Sequence, residues 1–350
     1  MESIFYLGAS TPKGFVSYFD SLFREVRQLT IIKGGPGCGK STFMRAIGTA
    51  ARERGLDVSY ILCSSDPDSL DGIILPQLSA AYVDGTAPHV LEPKLCGGSM
   101  NYLNFGEFYD SDAMRPNEEE ILSCQKKNAA KYPHVTACLA AADALLESVR
   151  IATASEAYSE ELGAIAECLG LSALKPVSDQ PVVLKRFLSA ITPKGPKLCE
   201  KTPSALCERV YVLRDNYALA PHVLSLLLEK AQALGHTCVA CYSPLLPEGK
   251  PSHLLIPSAD AAFVSDSRDF PYTESCFCRI DLDSAIAPPI RKELEFCNKT
   301  VSSLLYQAVH HLREAKQLHD QMEQLCRPFV DFTAADRLAK RTVLELFGEK

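Results

Sequence analysis

Nine residues, Gly34-Gly35-Pro36-Gly37-Cys38-Gly39-Lys40-Ser41-Thr42, carry the most specific chemistry in this chain. Their spacing is GxxxxGK[ST], the pattern of a loop that wraps a phosphate group. Glycines reach positive φ angles at little steric cost, so successive N–H groups can converge on phosphate oxygens, and the helix that follows adds the positive end of its dipole. On this reading Gly35, Pro36, Gly37, Cys38, Gly39, Lys40, Ser41 and Thr42 surround a nucleoside triphosphate, expected to be ATP. Lys40 is the residue that reaches the β- and γ-phosphates and stabilises charge on the transferred phosphoryl group. Ser41 offers its hydroxyl to Mg²⁺, and Thr42 adds an N–H near the α-phosphate.

A second magnesium ligand is expected at Asp84, which ends the apolar run Ala80-Ala81-Tyr82-Val83. Gly85 follows it, where strong ATPases often carry a glutamate that activates water, and this favours slow hydrolysis over motor-type turnover. Asp66, Asp68 and Asp71 lie beyond a second apolar run, where α/β folds place ligand-binding loops. One of the three could orient water or accept a proton from a substrate hydroxyl, with Asp66 and Asp68 the two singled out. The plain alternative is a turn in which these carboxylates cap local N–H groups. His89 reads as a loop residue rather than an acid or base. Cys38 lies among the loop N–H groups, and a helix N-terminus together with Lys40 would lower its thiol pKa and make it an oxidation switch. Otherwise it is a small residue tolerated in a variable slot.

The surrounding pattern supplies elements to position these groups. Leu29-Thr30-Ile31-Ile32 reads as a strand entering the loop, and Phe43, Met44, Ile47, Ala50 and Ala51 recur at helical spacing after it. Gly55 is a helix stop, and Val58 to Leu62 reads as the next strand.

The chain also repeats itself. Tyr6-Leu7-Gly8-Ala9-Ser10-Thr11-Pro12-Lys13-Gly14 falls on Phe187-Leu188-Ser189-Ala190-Ile191-Thr192-Pro193-Lys194-Gly195 at an offset of 181. Nearly the same offset brings Gly55 onto Gly235, Leu75-Pro76 onto Ile256-Pro257, and Ala80 to Val83 onto Ala261 to Val264. Agreement at separated places indicates an internal duplication. The expected fold is therefore α/β, with two tandem P-loop NTPase-like domains at 1–178 and 179–350. Each would have a mainly parallel sheet and an appended helical segment, at about 118–169 and 291–347. Opposite the glycine-rich loop the second copy reads Arg214-Asp215-Asn216-Tyr217-Ala218-Leu219-Ala220-Pro221-His222, without glycine or lysine, so it is expected to be degenerate. Arg214 and Arg268 are candidates for an arginine offered to the first copy. Leu305, Val309, Leu312, Ala315, Leu318, Met322 and Leu325 form an apolar stripe, expected to pack on the chain itself or, failing that, on a partner helix or a second copy.

With 36 Lys and Arg against 43 Asp and Glu, the net charge of −7 argues against a nucleic-acid partner, which needs a basic face. Neither a signal-peptide pattern at the N-terminus nor an apolar run long enough to span a bilayer is visible, so no membrane partner and a cytoplasmic location are expected. The 14 cysteines are expected to be mostly reduced thiols. Cys238 and Cys241 form a CxxC and Cys276 and Cys278 a CxC, a combination that could hold zinc.

The Thr-Pro-Lys-Gly strings at Thr11 and Thr192, GGPGCGKST, the Cys63 to Gly72 segment and Asp84-Gly85-Thr86-Ala87-Pro88-His89 together resemble an uncharacterised family of bacterial tandem P-loop ATPases. The resemblance spans nearly the whole chain and implies the fold and ATP binding, with no established substrate. Members of that family often keep a glycine-rich loop in the second half; its loss here implies one nucleotide per chain. A small-molecule or nucleotide kinase and a nucleotide-gated binding protein are the alternatives to a slow Mg-dependent ATPase, because the same loop serves all three.

Overall fold

The computed structural model describes residues 1–92, 98–154, 156–178 and 180–348. Asp179, at the expected domain boundary, lies outside the described residues. The first half runs β1 (Glu2–Phe5), β2 (Gly8–Thr11), β3 (Gly14–Ser17), α1 (Leu22–Glu25), β4 (Gln28–Lys33), α2 (Lys40–Glu53), β5 (Val58–Leu62), β6 (Leu70–Leu75), β7 (Ala80–Asp84) and β8 (Met100–Asn104). Helices α3 (Ser111–Met114), α4 (Glu118–Ala129), α5 (Tyr132–Thr153) and α6 (Glu156–Ala173) follow. The second half runs β9 (Val183–Arg186), β10 (Ser189–Thr192), β11 (Gly195–Leu198), α7 (Lys201–Leu206), β12 (Arg209–Arg214), α8 (Ala220–Ala233), β13 (Cys238–Cys241), β14 (His253–Ile256), β15 (Ala261–Asp266) and β16 (Cys278–Asp281). It ends in α9 (Pro288–Cys326) and α10 (Phe332–Phe347).

The two six-stranded sheets have the same topology. One is ordered β1-β5-β6-β7-β4-β8 and the other, read from its opposite edge, β9-β13-β14-β15-β12-β16. In both, the pairings flanking the third strand are antiparallel and the rest parallel. The repetition extends to turns. Thr11 Oγ1 donates to Gly14 O at 2.7 Å and accepts from Lys13 N at 3.1 Å, as Thr192 does with Gly195 at 2.8 Å and Lys194 at 3.1 Å. Ser79 and Asp260, both left-handed at φ 48° and 49°, close the same turn before β7 and β15. A mixed α/β architecture of two similar halves is thus established.

The compact units are discontinuous in sequence. One comprises Met1–Gly8, Ser17–His134 and His310–Lys350, and the other Ala9–Val16 and Val135–Val309. The helical segment of the first half, from Val135 on, therefore belongs to the second unit, and the end of the second half belongs to the first.

Within the first unit, Phe43, Met44, Ile47 and Ala51 of α2 are buried together with Ile73, Leu75 and Tyr82 of the sheet and with Ala335 and Ala339 of α10. Burying side chains of this size contributes about 1.5–3 kcal/mol each for the larger ones, which is what fixes α2 against the sheet. Leu305, Val309, Leu312, Ala315 and Met322 of the α9 stripe are buried within the chain. Among the described residues no helix is long and apolar enough to cross a membrane.

Candidate functional site

In the first unit the Gly34–Gly39 loop leaves β4 and delivers α2 at Lys40. Gly37 and Gly39 adopt φ 73° and 93°, the left-handed region in which a Cβ is strained. Gly39 is also the N-cap, so it has no side chain to satisfy the first-turn N–H groups of α2. The loop is braced from outside: the Tyr109 hydroxyl donates to Pro36 O at 2.7 Å, and a Cβ on Gly37 would stand 3.0 Å from Arg327 Cγ and 3.4 Å from Glu323 Cα.

Lys40 folds back over this loop. Its Nζ donates to Gly34 O at 2.8 Å and Gly35 O at 2.9 Å and lies 3.4 Å from Asp84 Oδ2. Parallel pairing of β4 with β7 sets Asp84 opposite Ile32, one residue before the strand ends, and so brings the carboxylate to the lysine. Thr86 holds the other carboxylate oxygen, through N–H at 2.8 Å and hydroxyl at 2.5 Å. Ser41 Oγ accepts from Leu70 N at 3.0 Å, which ties the first turn of α2 to β6. Lys40, Ser41 and Asp84 are thus gathered at the ends of β4, β6 and β7. The geometry offers an ammonium, a hydroxyl and a carboxylate around a glycine-bent backbone.

Asp66 and Asp68 are arranged differently. Asp66 lies 3.5 Å from Lys316 Nζ, its Oδ1 accepts from Asp68 N at 3.4 Å, and its carbonyl accepts from Ser69 N at 2.8 Å. The segment is thus the local turn foreseen as the plain alternative. Asp68 is exposed, and its carbonyl accepts from Arg45.

Cys38 corrects an expectation. Its side chain is buried, and Sγ donates to Gly35 O at 3.1 Å. Burial pushes the thiol pKa up, outweighing the nearby Lys40 charge, so the residue is a packed thiol and not an activated thiolate. The CxxC and CxC cysteines do not assemble a zinc site either. Among the described residues they appear in no cluster of three or more metal-ligating side chains. Cys241 and Cys278 sit on β13 and β16, four strand spacings apart and hence about 19 Å across the sheet. Arg214 and Arg268 are ion-paired within the second unit, Arg214 near Asp281 and Asp283 and Arg268 with Glu295.

Three features were not foreseen. Arg327, just beyond α9, stands beside Gly37; its separation in sequence gave no signal. Asp71 and His89 are buried and paired, Oδ2 to Nε2 at 3.0 Å. Burial alone would lower the His89 imidazole, but the Asp71 carboxylate outweighs it and holds the pKa above the ordinary value. The third feature is in the second unit. There Asp215, at the 181 offset from Gly34, folds its carboxylate into the loop that follows. Oδ1 accepts from Tyr217 N at 3.2 Å and Leu219 N at 2.8 Å, and Oδ2 from Ala220 N at 2.8 Å. An aspartate four to five residues before a helix start was a legible signal for this cap. Burial raises the Asp215 pKa to about 6, against these hydrogen bonds, which favour the ionised form. A cavity of about 390 Å³ opens beyond it, lined by Ser243, Ser252, His253 and Phe270 among others. No family model, no curated protein and no solved structure matches the chain.

Proposed function

We propose that the first unit binds Mg-ATP and hydrolyses it slowly, as one active half of a duplicated P-loop ATPase. The observation that carries this reading is the convergence of Lys40 and Asp84, at 3.4 Å, over a loop bent by Gly37 and Gly39 at the start of α2. The donor set suits a phosphate chain: a lysine, left-handed glycines that let N–H groups converge, and an uncapped helix N-terminus. Lys40 would exchange the Gly34 and Gly35 carbonyls and Asp84 for β- and γ-phosphate oxygens. Gly37 to Thr42 would contribute backbone N–H groups. Ser41 and Asp84 would hold Mg²⁺, which supplies charge neutralisation between the terminal phosphates. Arg327, whose Cγ stands beside Gly37 and whose guanidinium lies over the Phe332 ring, would be the cation to meet charge that develops on the γ-phosphate. Asp66, engaged with Lys316, and Gly85 after Asp84 leave water activation weak, in keeping with slow turnover.

The test is ADP formation by the purified chain in Mg-ATP, with Lys40→Ala as control and thermal melting with and without ATP in parallel. Turnover that disappears in Lys40→Ala is the expected result. An ATP-raised melting temperature without turnover would move the reading to a phosphotransferase or a nucleotide-gated protein. Neither response would end it.

A further inference from the structure

The first unit contains a second cluster of chemically reactive groups, independent of the nucleotide reading. Cys63 follows β5, Asp71 is the second residue of β6, and His89 lies in the loop after β7. A thiol sulfur, a carboxylate oxygen and an imidazole nitrogen from these three residues all lie within 4.8 Å of one another. The Asp71 and His89 side chains are each only 6% exposed. Buried carboxylates ordinarily meet an arginine, a lysine or a metal, because an ionised group out of water needs strong compensation. Asp71 Oδ2 instead faces His89 Nε2 at 3.0 Å, a partner that is itself a zinc-ligating type.

We propose that Cys63, Asp71 and His89 form a binding site for one zinc ion. Sulfur, oxygen and nitrogen from one residue each is a donor set that zinc accepts, with metal bonds of about 2.0–2.3 Å. Around a tetrahedral ion such donors stand about 3.3–3.6 Å apart by the same bond lengths. The observed 3.0 Å between Asp71 and His89 is close to that, and the thiol needs to shift by no more than about 1.5 Å. The charges also close. A thiolate, a carboxylate and a neutral imidazole balance the dication, and binding transfers to solvent the Cys63 thiol proton and any proton that His89 shares with Asp71, without any redox change.

The second unit provides an internal comparison. The strand registers place Ser243 and Ser252 where the first unit has Cys63 and Asp71, and the 181 offset places Phe270 where it has His89. All three donors are gone in the half that has also lost its glycine-rich loop. The other donor cluster among the described residues, His319, Asp320 and Glu323, lies on one helix, and its Asp320 is already ion-paired with Lys316. It makes no comparable claim.

The experiment is metal analysis of the full-length protein, followed by titration of the chelator-stripped protein with Co²⁺ as a spectroscopic stand-in for zinc. The expected result is one equivalent of bound metal, a thiolate-to-cobalt charge-transfer band, and competition by Zn²⁺. That band should vanish in Cys63→Ser and persist when Cys276 and Cys278 are both replaced by alanine. His89→Gln should weaken affinity at least tenfold, since it removes a ligand from a three-residue site. A wild-type protein that takes up no zinc and shows no charge-transfer band overturns the proposal without recourse to any variant. So does a band that survives in Cys63→Ser.

Discussion

The Gly34–Gly39 and Asp215–Leu219 loops join the same strand to the same helix in two copies of one fold, and they differ in what occupies their N–H groups. One left-handed position is retained, although the Gly39 conformation is not, since Ala220 is already in α8. Gly37 has φ 73°, and at the 181 offset Ala218 has φ 61°, a conformation a residue with a Cβ rarely adopts. In the first unit a lysine covers the loop carbonyls and no side chain caps the helix. In the second, the Asp215 carboxylate sits in the curve of the chain as an internal anion. One left-handed turn is common to both copies, and in the second the Asp215 carboxylate occupies the loop N–H groups from within.

The largest expected effect breaks the comparison on the first side. Lys40→Ala should reduce ADP formation by about 100- to 1000-fold, the cost of removing one preorganised donor from a developing anion. Equal turnover in mutant and wild type would mean that Lys40 meets no phosphate. On the second side, Asp215→Ala leaves three N–H groups without their acceptor and should cost about 2–3 kcal/mol of local stability. Hydrogen exchange of α8 peptides would read the loss. Millimolar acetate or phosphate should restore part of it, because a free anion can take the carboxylate's place. Absence of rescue would show that the loop no longer accepts an exogenous anion.

A smaller effect separates the units by pH. His253 is buried with its Nδ1 accepting from Ser265 N at 3.1 Å, and burial lowers its pKa to about 3. Its folded pKa lies below the unfolded value of about 6.5, so the unfolded chain binds more protons in that window. The His253 contribution is full above about pH 6.5 and falls as the pH drops, by about 2 kcal/mol at pH 5, opposed in part by Asp215, whose raised pKa favours the folded state over the same range. The first unit carries Gly72 at the matching register and has no counterpart. His253→Asn should flatten the acid limb of hydrogen exchange in β14 and β15, and an unchanged limb would assign the sensitivity elsewhere. The smallest effect is a gain: Ala218→Gly should stabilise the second unit by about 1 kcal/mol by relieving the left-handed strain. A loss would mean that the methyl group contributes more by packing than its backbone costs.

The duplication and both loops were legible because they are written in local strings. Thr-Pro-Lys-Gly makes the same turn wherever it falls, and the helix after Lys40 announces itself by apolar spacing. Asp84 was found for a related reason, since a strand end is visible as the end of an apolar run. Asp71 and His89 were underweighted, because each looks like an ordinary turn or loop residue until β6 and β7 are laid side by side. At Cys38 the switch reading fails for the opposite reason, and the plain reading of a small residue in the slot stands. Its charged neighbours are visible in sequence, but its burial is not, and burial dominates the thiol.

The sequence by itself determined the repeated α/β elements, the glycine-bent loop and the loss of lysine from its copy, since these follow from backbone preferences over a few residues. Only the tertiary structure decided which charges meet. Parallel pairing of β4 with β7 brought Asp84 to Lys40, the end of α9 brought Arg327 to Gly37, and the antiparallel β5-β6-β7 pairing carried Cys63, Asp71 and His89 together. Such contacts depend on strand order and burial across dozens of residues, and no local pattern encodes them.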